Sequence, residues 1–191
     1  MTEILKLAQL LSQPLESSRL IIRPQLASDA EAAYEYLQDD AIRQWISLRI
    51  PASVDTLRQS WMRNEARISP DGREAWLQWF VRSKADGTAI GSIDACVDQD
   101  KVAVNFGYYF FVPAWGQGFA TEAVGVVAKH LMSNGVERLL ATVTVGNTAS
   151  VRVLKKIGFQ YTRTIADNDT VNGALVDDDE FVLTPDVLTQ S

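Results

Sequence analysis

The chain has 191 residues, 47% of them apolar and 22% charged, which is enough for one full hydrophobic core and fits a single domain. A net charge of −6 argues against nonspecific nucleic-acid binding, which needs clustered Lys and Arg on one face, and favours a neutral or cationic partner. A lone cysteine, Cys96, and a lone histidine, His130, leave no disulfide framework, no thiolate metal cage and neither Ser-His-Asp nor Cys-His chemistry.

Ile4, Leu5, Leu7, Ala8, Leu10 and Leu11 fit a short amphipathic helix that Pro14 stops, expected to lie as a lid on the core. Glu3 and the lack of a basic n-region and a small-residue cleavage site do not make a secretory signal, so a cytoplasmic location is expected. Residues 18–24, SRLIIRP, read as a short strand. Ser28 with Glu31 three positions on is a capping-box signature opening a helix over 29–38, and a second helix follows Ser53 through Leu57, Trp61 and Met62. Residues 75–83 and 88–97 read as a hairpin around the turn at 84–87, and the turn at 98–101 leads into a third strand over 102–112. The apolar region 102–128 is broken by Asn105, Pro113, Gln117 and Glu122, so it supplies no membrane-spanning run of about 20 residues.

A helix after residue 118 carries Val124, Val127, Ala128 and Leu131 on one face and stops at Asn134 and Gly135. Residues 138–145 read as a buried strand, and a short helix with Val151, Leu154 and Ile157 ends at Gly158. Strands at 159–165 and 179–184 then flank a candidate turn at Asn172 and Gly173. A meander followed by alternating strands and helices predicts an α+β fold with a mixed sheet. One domain over 1–191 is expected, with residues 1–15 as a helical extension and 185–191 as a tail.

The stretch FVPAWGQGFATEA, residues 111–123, sets two glycines at the mouth of a helix. A helix begins with unpaired N–H groups and a partial positive charge, and Gly116, Gly118 and Ala120 clear space for phosphate oxygens to approach them. An isolated Gly-x-Gly is also an ordinary strand-to-helix turn. Two nucleotide motifs fail: the dinucleotide fingerprint needs Gly or Ala where Thr121 stands, and the P-loop Gly-Lys-Ser/Thr is absent.

The segment WGQGFA resembles the acyl-CoA signature of the GNAT N-acetyltransferases, Q/R-x-x-G-x-G/A, with Gly118 and Ala120 at its small positions and Trp115 in place of Q/R. That variant is similar to the RimJ/RimL ribosomal-protein N-terminal acetyltransferase branch. SRLIIRP, FGYYF and NTASVRVLKKIGF resemble the same branch, in the same order, across residues 18–159.

The resemblance implies a GNAT-type mixed, mostly antiparallel central sheet with a splayed strand pair, flanked by helices. It implies acetyl-CoA as acyl donor and no metal. The pantetheine arm is expected along Phe110, Phe111 and Val112, with the pyrophosphate against the N–H groups of Gln117, Gly118, Phe119, Ala120 and Thr121. Asn147 is expected at the pantetheine, with helix capping as the alternative. Ser150 is expected near the sulfur, as proton donor to the departing thiolate. Arg152, Lys155 and Lys156 form a solvated face, from which one could reach the adenosine 3′-phosphate.

For the general base the resemblance points to a carboxylate after the last core strand, and counting from GF to the downstream NG lands on Asp169; Asn105 stands where relatives often carry another carboxylate, so that candidate is lost. Asp94 and Glu74 are further candidates for the base, each read first as a surface or strand-end charge. No Lys or Arg follows Arg163, whereas Asp167, Asp169, Asp177, Asp178, Asp179, Glu180 and Asp186 do: a solvated acidic tail, or a rim that attracts a cationic amine. Trp45 or Trp79 is a candidate for the acceptor groove, Cys96 for the core and His130 for a helix surface.

The expected reaction is direct attack of an amine on the thioester, with no covalent enzyme intermediate and with the carbonyl polarised by a third-strand N–H such as that of Phe111. The acceptor is a protein N-terminus or a small cationic amine, and the protein a monomer or homodimer without nucleic-acid or membrane partners. The alternative is a non-catalytic acyl-CoA-binding module.

Overall fold

The computed structural model describes residues 2–188. Helix α1 (Glu3–Leu11) is capped by Thr2, whose hydroxyl accepts from the Leu5 N–H at 3.3 Å, and it buries Ile4, Ala8 and Leu11. His130 Nε2 donates to the Leu11 carbonyl at 2.8 Å, so this histidine ties the lid down instead of facing solvent from a helix surface.

The strands are β1 (Leu15–Glu16), β2 (Leu20–Pro24), β3 (Ala75–Ser83), β4 (Ala89–Val97), β5 (Val102–Phe110), β6 (Arg138–Thr144), β7 (Gln160–Val171) and β8 (Ala174–Leu183). They form one eight-stranded sheet in the order β1-β2-β3-β4-β5-β6-β8-β7, antiparallel except where β5 meets β6. The expected α+β class and mostly antiparallel sheet are both present. The remaining helices are α2 (Ala30–Tyr34), α3 (Val54–Asn64), α4 (Phe119–Ser133), α5 (Thr148–Ile157) and α6 (Pro185–Leu188). Residues 189–191 of the expected tail lie outside the described residues. Among the described residues no helix is long and apolar enough to cross a membrane.

Strand alternation sends side chains to two cores. Leu77, Trp79, Phe106 and Phe110 face the main core with Val124, Val127, Leu131 and Leu154 of α4 and α5. Phe80 and Phe111 face a second core with Ala30, Ala33, Leu57 and Trp61 of α2 and α3.

Two elements depart from expectation. Ser28 does not cap the 29–38 helix; the buried Asp29 carboxylate accepts from the Leu26 N–H at 3.0 Å and pairs with Arg23 and Arg82. A buried carboxylate between two guanidiniums outweighs a local hydroxyl cap, and the helix shortens to α2 followed by a 3₁₀ turn at Tyr36–Gln38. The last hairpin is longer than its apolar pattern predicts. Cross-strand bonds such as Thr164 Oγ1 to Asp179 Oδ1 at 2.7 Å carry its polar half to the turn, where Asn172 and Gly173 adopt φ 51° and 82°.

The feature that positions the site is a splay. β5 and β6 pair only at Val102↔Arg138 and Ala103↔Leu139, after which β5 stays with β4 and β6 with β8. A gap opens between them.

Candidate active site

The gap is a cleft of about 390 Å³, with Tyr108, Asn147, Ser150 and Leu154 on the α5 side. Trp45, Ser47, Leu48, Asp94, Asp169 and Asp178 line it from the other direction. Trp79, the alternative groove tryptophan, is wholly inside the core.

The glycine turn follows β5 and leads into α4. Gly116 and Gly118 have φ of 75° and 78°, in the left-handed region that side chains disfavour, and no side chain caps α4. A Cβ on Gly116 would meet nothing within 4 Å, and one on Gly118 only Arg19 Nη2 at 3.6 Å. Open space thus adjoins both glycines at the mouth of α4, whose first N–H groups, those of Phe119, Ala120 and Thr121, have no intrahelical partner to accept from them.

Arg19 completes this corner. Its guanidinium stands 4.4 Å over the Phe119 ring, Nη1 donates to the Gln117 carbonyl at 3.0 Å, and Nε donates to Glu122 Oε2 at 2.6 Å. Burial opposes ionisation of Glu122, but bonds from Ser17, Arg19 and Ser18 outweigh it and hold the carboxyl down at about 2. The strand SRLIIRP therefore clamps the glycine turn, a task its apolar alternation does not reveal. Arg152, Lys155 and Lys156 are exposed.

Phe111 requires a correction. Its N–H donates to the Ile90 carbonyl at 2.9 Å, its own carbonyl accepts from the Ala114 N–H at 2.8 Å, and its buried ring stacks on Tyr36 at 4.8 Å. Neither a pantetheine ladder nor carbonyl polarisation is open to it. Alternation along β5 turns the N–H groups of Tyr108 and Phe110 to the gap instead. The Phe110 carbonyl accepts from Trp115 Nε1 at 2.6 Å, and Val112 opens a 3₁₀ turn, Val112–Ala114.

On the α5 side, Ser150 Oγ and Tyr108 Oη lie 2.6 Å apart, and the phenol is 3.2 Å from the Ser150 carbonyl. Burial pushes the Tyr108 phenol up to about 12 against the opposing Ser150 bond, so it stays a neutral proton donor. Asn147 Oδ1 accepts from the Ser150 N–H at 3.2 Å, which makes it the N-cap of α5. Asn147→Ala should lower stability by about 1 kcal/mol, read as a fall in Tm, and should also weaken CoA binding if the amide meets the pantetheine. Loss of Tm with intact CoA affinity would leave capping as its whole role.

On the opposite face, Asp94 sits mid-strand on β4, paired with Gly107 of β5. A Cβ at Gly107 would stand 3.0 Å from Asp94 Oδ1, so the bare glycine leaves this carboxylate its room. Desolvation alone raises its carboxyl to about 6, with no cation or hydrogen bond to offset it. Asp94 is thus neither a strand-end nor a surface charge. Glu74 lies outside the cleft lining and accepts from Trp76 Nε1 at 2.8 Å. Asp169 lines the cleft with both oxygens engaged, Oδ2 by the Ser47 hydroxyl at 2.8 Å and Oδ1 by the Thr170 N–H at 2.6 Å. Cys96 is only partly buried, its thiol pushed up to about 12 by burial and by the charges of Asp94 and Glu74, and it is no nucleophile. Among the described residues no group of three or more His, Cys, Asp or Glu is placed to hold a metal.

A family model described as an acetyltransferase (GNAT) domain matches residues 19–160. The chain is similar to YoaA of Bacillus subtilis strain 168, an uncharacterized N-acetyltransferase, at 29% identity over 148 residues that cover 76% of this chain and 82% of YoaA. Among solved structures it resembles RimL, the ribosomal L7/L12 alpha-N-protein acetyltransferase in complex with coenzyme A, at TM-score 0.80 and 17% identity, covering 92% of this chain and 99% of RimL. Mycobacterium smegmatis RimJ in complex with CoA-disulfide matches at TM-score 0.77 and 26% identity, covering 90% of this chain and 85% of RimJ.

Proposed function

Because this chain belongs to the GNAT acetyltransferase family, we propose that its cleft transfers acetyl from acetyl-CoA to a primary amine, with Asp94 as general base and Ser150 with Tyr108 as the proton-donating pair. The enzyme class is an acetyl-CoA-dependent N-acetyltransferase, and the acceptor is a protein N-terminal amine or a small-molecule amine. The observation that carries the residue roles is the split of the cleft: a carboxylate with an elevated pKa on one face, and a phenol and hydroxyl in contact on the other.

The donor would lie along the gap edge of β5, with its diphosphate at the N–H groups of Gln117, Gly118, Phe119, Ala120 and Thr121 and beside Arg19. When bound, it supplies the activated acyl carbon. Asp94 takes a proton from the amine as its nitrogen bonds to that carbon, and the C–S bond breaks. Ser150, backed by Tyr108, returns a proton to the sulfur. The N–H of Phe110 or Tyr108 faces the acyl oxygen. Asp169 serves as a steering charge, since its two oxygens are already engaged. We place this activity in the cytoplasm, and in a monomer or homodimer.

The test is CoA release from acetyl-CoA with a panel of primary amines and N-terminal peptides. Acetyl transfer to some member is expected. Acetyl-CoA binding without turnover across the panel would instead favour the non-catalytic module.

Ser150→Ala should lower kcat about 10- to 100-fold with little change in CoA affinity, because a donor to the leaving thiolate acts mainly in the transition state. Tyr108→Phe should lower kcat similarly, and the double variant little further, since both serve one proton path. Fully multiplicative losses would separate the two residues.

A further inference from the structure

Asp178 is a buried carboxylate of the cleft that this chemistry leaves unused. It is 4% exposed and lines the cleft from β8. Its Oδ2 accepts from Asn168 Nδ2 at 2.8 Å, while Oδ1 is buried without a partner among the described residues. Asp94 and Asp169 line the same cleft, and no lining residue is Lys, Arg or His. A buried carboxylate oxygen is costly unless a donor meets it, and a cationic donor offsets the cost best. One acceptor ammonium at Asp94 leaves Asp178 uncompensated.

Strand register gives the separation. Asp94 pairs with Gly107 on β5, and Asp178 pairs with Thr144 on β6. Gly107 alternates with Phe106 and Tyr108, and Thr144 with Val143, all of which turn to the main core, so Asp94 and Asp178 share the opposite face of the sheet. The two carboxylates therefore stand on one face three strand spacings apart, at least roughly 14 Å between Cα atoms. Both side chains reach into the cleft, and an N–O contact of about 2.8 Å at each end leaves room for an alkyl chain between two nitrogens.

We infer that the acceptor is a small amine with a second cationic centre, held at Asp178 while its reacting nitrogen faces Asp94. This deepens the acetyltransferase reading above and rests on it. Asn168 orients the anchoring carboxylate, and Trp45 lines the same cleft.

The experiment compares 1,4-diaminobutane with 1-aminobutane as acceptors at saturating acetyl-CoA, for the wild type and for Asp178→Asn. The wild type should use the diamine with a kcat/KM about 10- to 100-fold higher, the range expected for one hydrogen bond to a charged group. Asp178→Asn should raise KM for the diamine by a similar factor, leave its kcat near wild type and leave 1-aminobutane unchanged. Equal use of both amines by the wild type would overturn the inference, as would a preference for N-terminal peptides lacking a second cation. A variant that loses both amines in proportion, with a lowered Tm, would give Asp178 a structural role and also overturn it. Turnover of 1-aminobutane without diamine preference sinks this inference alone. Absence of transfer to any amine sinks the acetyltransferase reading beneath it.

Discussion

Asp94→Asn is expected to lower kcat by about 10²- to 10⁴-fold, the usual contribution of a positioned general base. Wild-type kcat/KM for the acceptor should rise with pH through about 6 as the Asp94 carboxyl ionises, and this acidic limb should vanish in the variant. The same shift separates catalysis from folding. An ordinary aspartate has a pKa of about 3.9. Raised in the fold, Asp94 ionises less readily there than in the unfolded chain, so it lowers stability as pH climbs from about 4 to about 6 and at all higher pH. Asp94→Asn should thus be as stable as wild type at pH 7, or more so, while nearly inactive. Rates and pH profile by CoA release, with Tm on the same samples, decide it. A wild-type acidic limb in Asp94→Asn would remove Asp94 from the base role, and loss of that limb in Asp169→Asn instead would return the role to Asp169.

Gly118→Val should abolish CoA binding. Gly118 has φ 78°, where a β-branched residue is strained by about 1–2 kcal/mol, and its new side chain would fill the space over the α4 N-terminus. CoA at 100 times its Kd should stabilise the wild type by about 2.7 kcal/mol, roughly 5–10 °C in Tm for a chain of this size. The variant should show no such shift at the same concentration. Gly72→Val is the control, since Gly72 has φ 72° with nothing within 4 Å of a Cβ and lies in the turn before β3, not at the start of α4: it should lose stability while keeping the CoA shift. Equal CoA shifts in wild type and Gly118→Val would remove the glycine turn from donor binding.

The sequence by itself determined the order of strands and helices and the place of the glycine turn. Those rest on local regularities: β-rich segments over 75–83 and 88–97, a helical stripe from Val124 to Leu131, and glycines where φ is positive. The Asn172–Gly173 turn and the Asn147 cap are legible for the same reason, since each needs only its neighbours. The tertiary structure alone decided what faces what. Asp94 reads as one charge in a strand until β5 sets Gly107 against it and the splay exposes it to the gap. Tyr108 becomes a proton donor only because α5 brings Ser150 to 2.6 Å from it. Phe111 is withdrawn from the donor site because its backbone is spent on Ile90 and Ala114. Arg19 reaches the glycine turn across a separation of 98 residues from Gln117. Burial and electrostatics depend on distance in space, and the pairing of remote strands sets that distance. Local pattern therefore predicts the elements and their punctuation, while the pKa of Asp94 and the open oxygen of Asp178 exist only once the sheet has closed around them.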